Sequence, residues 1–141
     1  MSKNVFERRI NYYETDRMGI VHHSNYIRFM EEARCEWLES VGMPFDVMEE
    51  QGVTIPTIGV SCSYKTPVTY GDVILIEMCT TEYTGVRMTI KYKITKKETG
   101  ELVVTAETKH CFTNKELRPI NLKKHAPEFS DKFEKMLEES K

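Results

Sequence analysis

The sequence predicts an α+β fold in which a curled antiparallel sheet wraps around one long central helix. Three observations carry this. Apolar residues between Ser24 and Val41 recur with a helical period, and long β-like runs follow between Val53 and Thr113. Only short turns separate those runs, which implies antiparallel neighbours. At 141 residues the chain is expected to form one domain, 1–141, since domains hold roughly 100–200 residues. A domain of that size buries roughly 70% of the surface its unfolded chain exposes, enough for a true core.

Val5 to Tyr13 mixes apolar, charged and β-forming residues and reads as a first strand. The polar, Gly-bearing stretch Glu14 to Val21 interrupts it. Tyr26, Met30, Ala33, Trp37 and Val41 then form one helical stripe, widened by Phe29 and Leu38. Arg28, Glu32, Glu36 and Glu39 occupy the other face, and Gly42 is placed to stop the helix. Such a helix spans about 27 Å, and it is the only element long enough to cover the sheet. Pro44 to Gln51 reads as a short second helix with Pro in its first turn. The strand run from Val53 ends at Pro67, and three more follow: Val73–Tyr83, Val86–Lys97 and Glu101–Thr113. In the middle one Met88, Ile90, Tyr92 and Ile94 alternate with Arg87, Thr89, Lys91 and Lys93. Lys115 to Lys124 is a polar connection, and Phe129, Phe133, Met136 and Leu137 predict a terminal amphipathic helix over Pro127–Ser140.

Charge narrows the partners. Twenty Lys and Arg stand against 22 Asp and Glu, a net charge of −2, which removes the bulk electrostatic case for nucleic acid or an anionic membrane. The opening MSKNVFERRI has no apolar leader, and no apolar run approaches a membrane span. Cys35, Cys62, Cys79 and Cys111 show no C-x-x-C spacing, so buried free thiols in a reducing cytoplasm are expected.

Chemistry concentrates between Tyr12 and Tyr26, which holds the carboxylates Glu14 and Asp16 and the histidines His22 and His23. The ordinary roles of these residues are structural: Asp16 as a turn residue, Ser24 and Asn25 as helix caps. Adjacent His22 and His23 diverge in a regular backbone, and H-E-x-x-H spacing is absent, so no metal site is expected. His110, in the last strand, is expected to be a packed or edge histidine and not a member of the site. A helix starting near His23, however, aims unpaired amides and a partial positive charge at the space Asp16 can reach. A carboxylate facing such amides is the minimum equipment for acyl transfer.

The pattern Y-x-x-T-D-x-x-G-x-V-x-H-x-x-Y, carried by Tyr12, Thr15, Asp16, Gly19, Val21, His23 and Tyr26, resembles the signature of the hotdog-fold acyl-coenzyme A thioesterases. Phe29, Glu31, Ala33 and Arg34 extend it, and the segments Ser63–Pro67, Tyr70–Val73 and Arg118–Ile120 look like later landmarks of the same family. The nearest branch is the 4-hydroxybenzoyl-coenzyme A thioesterase family with its Tol-Pal-associated short-chain members, and the resemblance spans about residues 5 to 122. It implies hydrolysis of an acyl-coenzyme A substrate, with Asp16 as nucleophile or general base. The stretch at His23 would offer an amide to the thioester oxygen, its side chain would orient substrate or water, and Tyr12 would support. It further implies a homodimer, often paired into a homotetramer, with active sites between subunits, and no bound cofactor.

Tyr26 belongs to the motif at the substrate. Lys65, Arg87, Lys91 and Lys93 are the candidates for holding the phosphates of coenzyme A, although a solvated strand face is the ordinary role of such residues. Phe29, Met30 and the strand from Ile55 to Tyr64 are candidates for an acyl tunnel. Which acyl group is bound stays open. Two other readings share the fold: a non-catalytic acyl-coenzyme A-binding module and a hydroxyacyl-thioester dehydratase, the latter a poor match to Y-x-x-T-D-x-x-G.

Overall fold

A computed structural model describes residues 4–140; Met1 to Lys3, within the segment read for a leader, and Lys141 lie outside the described residues. Five strands, β1 (Asn4–Arg9), β2 (Thr57–Tyr64), β3 (Val73–Tyr83), β4 (Arg87–Lys96) and β5 (Leu102–Cys111), form one sheet in the order β1-β3-β4-β5-β2. Every neighbouring pair is antiparallel. Register shifts between Thr80 and Glu82 and between Ile94 and Thr95 are irregularities of the kind that bend and twist a sheet. This is the hotdog architecture that the resemblance implies.

The helix α1 (Ser24–Ser40) lies against the concave face. Its N-cap residue, His23, makes no side-chain cap, a loss of about 1 kcal/mol, but the helix buries Tyr26, Phe29, Met30, Ala33 and Leu38. Each large apolar side chain so buried contributes about 1.5–3 kcal/mol, so packing rather than capping holds the helix. Facing it are Ile74, Ile76 and Met78 from β3, Met88, Ile90, Tyr92 and Ile94 from β4, and Val104 and Ala106 from β5.

α1 is not the only cover. The terminal helix α4 (Pro127–Glu139) closes one end of the sheet with Phe133, whose ring lies 5.5 Å from Trp37, 5.7 Å from Tyr83 and 5.5 Å from Phe112. Ser130 and the Tyr83 hydroxyl share a buried 2.6 Å hydrogen bond, and the Lys132 ammonium donates to the Val41 carbonyl at the end of α1. Trp37 and Val41 are accordingly only half-buried, because α1 shares this end of the core with α4.

Smaller departures have local causes. The first strand stops at Arg9, and Tyr12–Glu14 coil into a 3₁₀ turn because the Glu14 carboxylate accepts from the Asn11 amide at 2.8 Å. Pro44 is extended and precedes α2 (Phe45–Glu50) instead of opening it. The polar connection contains a short α3 (Leu122–His125), capped where the Asn121 side chain accepts from the Lys123 amide. That cap lies against the β3–β4 turn at Gly85. With φ +90° and Asn121 Oδ1 only 2.6 Å from where a Cβ would sit, only glycine fits there. The four thiols are free but half-buried, less enclosed than expected.

Candidate active site

The loop from Thr15 to Val21 is a miniature hairpin whose ends are bridged to each other, while Ile20 is bridged to Thr69. The Asp16 amide donates to the Ile20 carbonyl at 2.8 Å, and Gly19, at φ +81°, closes the turn by donating to the Asp16 carbonyl at 2.9 Å. One Asp16 oxygen, Oδ1, accepts from the Met18 amide at 2.8 Å; Oδ2 is uncommitted among the described residues. The turn role expected of Asp16 is therefore real, and it uses half of the carboxylate.

The loop is anchored from below by a network that residue types alone did not reveal. Arg8 points inward from β1 and binds Glu14 at 2.5 Å and Glu32 of α1 at 2.5 Å, with its guanidinium 4.1 Å from the Phe29 ring centre. Burial alone would make that guanidinium easier to deprotonate, but the bonds to Glu14 and Glu32 outweigh it and raise its pKa. Glu14 is therefore structural. Its carbonyl also accepts from the His22 amide at 3.0 Å and from the Asn25 side chain at 2.8 Å, which pins the start of α1 to the loop. The available signal was positional, since Arg8 shares the inward face of β1 with Phe6.

At the helix start Ser24 and Asn25 are not the caps. Instead the Ser24 amide donates weakly to His22 Nδ1 at 3.3 Å, and that nitrogen lies 2.8 Å from Ser24 Oγ. The His22 and His23 rings do not diverge; they stack with centres 4.3 Å apart, because the backbone there turns from loop into helix. The His23 amide donates no hydrogen bond among the described residues.

A pocket of about 320 Å³ brings Asp16, His23, Tyr26 and Lys65 together, with Tyr64 and Pro67 from the end of β2 on its far wall. Tyr26 is 4% exposed and lies 5.7 Å, ring to ring, from Tyr64; burial first, and then the Tyr64 hydroxyl, push its pKa up to about 12. Tyr26 therefore stays a neutral donor at any working pH. Tyr12 is 76% exposed and outside the pocket, its ring 6.0 Å from Tyr70; it holds the loop through its carbonyl, which accepts from the Thr15 amide and hydroxyl. Arg87, Lys91 and Lys93 are also outside, exposed on the sheet face away from α1. Acidic residues lie opposite two of them, Lys91 across from Glu107 and Lys93 across from Glu77.

A second polar group lies under α1. Arg34 donates to the Tyr92 hydroxyl at 3.1 Å, that hydroxyl is 2.7 Å from Thr108 Oγ1, and Thr108 in turn is 2.8 Å from His110 Nε2. His110 is packed, as expected. Burial first, then the Arg34 charge, hold its pKa down at about 4, against a hydrogen bond to the Pro56 carbonyl. The unfolded chain takes up this proton near pH 6.5 and the folded one only near 4, so stability is lost as pH falls through that window. Urea unfolding of wild type is expected to lose about 2 kcal/mol between pH 7 and 5 from this group. His110→Asn should flatten that part of the profile.

The thioesterase-like superfamily matches residues 10–137. A Bacillus subtilis protein provisionally called the acyl-CoA thioesterase YneP is 34% identical over 92% of this chain and 94% of its own. An Aquifex aeolicus protein provisionally called an esterase is 40% identical over 76% of this chain and 82% of its own. Among solved structures, a Staphylococcus aureus DHNA-CoA thioesterase superposes with TM-score 0.88 at 28% identity, covering 96% of this chain and 91% of that one. With its sheet, its helix and its motif loop all in place, the chain belongs to the thioesterase-like superfamily of hotdog proteins.

Proposed function

We propose that the chain is an enzyme that hydrolyses acyl-coenzyme A thioesters to free acid and coenzyme A, its 141 residues acting as one hotdog unit in the cytoplasm. One observation carries the mechanism: Asp16, with an uncommitted carboxylate oxygen, and His23, with an uncommitted amide, line the same pocket. Asp16 attacks the thioester carbonyl, or takes a proton from the water that does. The His23 amide, backed by the α1 dipole, holds the oxygen as it gains negative charge. Collapse breaks the C–S bond, and the thiolate leaves and is protonated. Where Asp16 is the nucleophile, water then cleaves the acyl-aspartate. Tyr26 orients the acyl group and Lys65 meets the carrier's phosphates. On a single chain Arg87 and Lys91 face away from this pocket, so they would meet the carrier only from another subunit.

The amide can be tested apart from the side chain. His23 has φ −54°, which proline adopts without strain, so His23→Pro deletes the N–H in place. We expect thiol release to fall about 10²–10³-fold in His23→Pro and far less in His23→Ala. Equal losses in both would move the role to the imidazole.

The dimer reading is supported by β2, which among the described residues pairs only with β5 and exposes Ile58, Val60 and Tyr64 along its length. Such an edge is a template for another strand, and a two-fold copy supplies one in antiparallel sense. Sedimentation is expected to give at least twice the 16.5 kDa chain mass, and Val60→Pro to lower it.

A further inference from the structure

Between α1 and the sheet, the polar chain from Arg34 to His110 borders a chamber of about 240 Å³ that opens past Glu31, Phe45 and Thr57. Its walls are apolar, from Leu38, Met78, Met88, Ile90 and Phe133, with Trp37 beside them. An apolar cavity of about 150 Å³ already admits benzene, so this one has room for a substituted ring or a short alkyl segment. Its polar members are Arg34, His110 and Thr57, with Glu31 at the exposed rim.

These groups are unusual for a packed core. Arg34 offers five N–H donors, yet it makes one bond, to Tyr92, and no ion pair among the described residues. His110, being neutral, contributes no charge to balance it, and its ring nitrogens already face Thr57 and Thr108. A partly buried guanidinium with unused donors favours whatever brings an acceptor oxygen, because leaving such donors dry is costly.

We propose that this chamber selects acyl groups carrying an oxygen acceptor, a hydroxyl or a carboxylate, at the end remote from the thioester, with Arg34 as the specificity residue. The inference deepens the thioesterase reading and rests on it for the identity of the ligand. The dimer proposed above supplies the route. Antiparallel pairing of two β2 strands sets the Thr57 end of one beside the Tyr64 end of the other, so the Thr57 and Phe45 side of the chamber opens toward the partner's catalytic pocket.

The test uses binding as well as turnover. S-alkyl-coenzyme A thioethers of equal carbon number, unsubstituted, ω-hydroxy and ω-carboxy, cannot be hydrolysed and report affinity alone. Trp37, the chain's single tryptophan, lines the chamber and reports occupancy by its emission. The oxygenated thioethers are expected to bind about tenfold to a hundredfold more tightly than the unsubstituted one, with a change in Trp37 emission. Arg34→Met should bring that ratio toward one, and Arg34→Lys should restore it chiefly for the carboxylate. A preference for hydroxyl over carboxylate in wild type would assign the recognition to a neutral oxygen, repelled less by Glu31. Equal affinities, a preference unchanged in Arg34→Met, or saturable binding that leaves Trp37 silent would overturn the proposal. Thiol release from the matching acyl thioesters is measured alongside. Its absence, with the thioether preference intact, would overturn the hydrolase reading and leave the chamber assignment standing.

Discussion

Asp16→Asn should lower kcat for thioester hydrolysis about 10²–10⁴-fold while leaving the fold unchanged. The substitution is nearly isosteric, and an amide oxygen can still accept from the Met18 amide, so the loop keeps the bond that shapes it. What disappears is the negative charge of the second oxygen, which alone can attack the carbonyl or accept a proton from water. A free-thiol assay across acyl-coenzyme A substrates, with thermal unfolding as the control for folding, measures the effect. Full activity in the variant would remove Asp16 from the mechanism. A loss of activity that merely tracked a loss of stability would give it a structural role.

The largest stability effect should come from Glu14→Ala. Arg8 and Glu14 have side chains only 13% and 6% exposed, so deleting the carboxylate leaves a buried guanidinium with Glu32 as its one remaining carboxylate and the Arg9 carbonyl as its other acceptor. Breaking one side of a buried pair costs about 3–5 kcal/mol, which for a chain of this size lowers Tm by roughly 10 °C. The Asn11 amide also loses its acceptor. Glu14→Gln keeps that acceptor and the shape but not the charge, and should fall between the two. Thermal unfolding of the three proteins tests the order, and a Glu14→Ala variant as stable as wild type would refute it.

The contrast between these two carboxylates shows what a sequence can carry. Asp16 and Glu14 stand two residues apart in the same polar loop, and nothing in their local composition says which one keeps an oxygen free at the pocket and which one is tied into the fold. The difference comes from Arg8, an element away, whose inward direction follows from strand alternation, and from Glu32 of α1, which the helical stripe places on the polar face but which reaches Arg8 from its flank. Periodicity was sufficient for α1 and for β3 to β5, because burial on one face imposes a repeat. It was weakest where backbone geometry is set by single hydrogen bonds, as at the 3₁₀ turn, at α3 and at the His22–Ser24 turn. The basic residues of β4 were legible as a row, but their place on the outer face, opposite Glu77 and Glu107, depends on the register of three strands. Likewise the chain from Arg34 to His110 joins residues far apart in sequence.

The strand order has a consequence for how the molecule comes into being. β3, β4 and β5 are joined by tight turns, so their pairing closes short loops and can form early. β1 must wait for β3 across the whole of α1, α2 and β2, and β2 must wait for β5. Both walls of the candidate pocket hang from these late edges, Asp16 after β1 and Tyr64 to Pro67 at the end of β2. Contact order therefore makes the central meander the expected kinetic template, with the candidate site in the part of the chain expected to assemble last; φ-values near zero in β3 to β5 would refute this order.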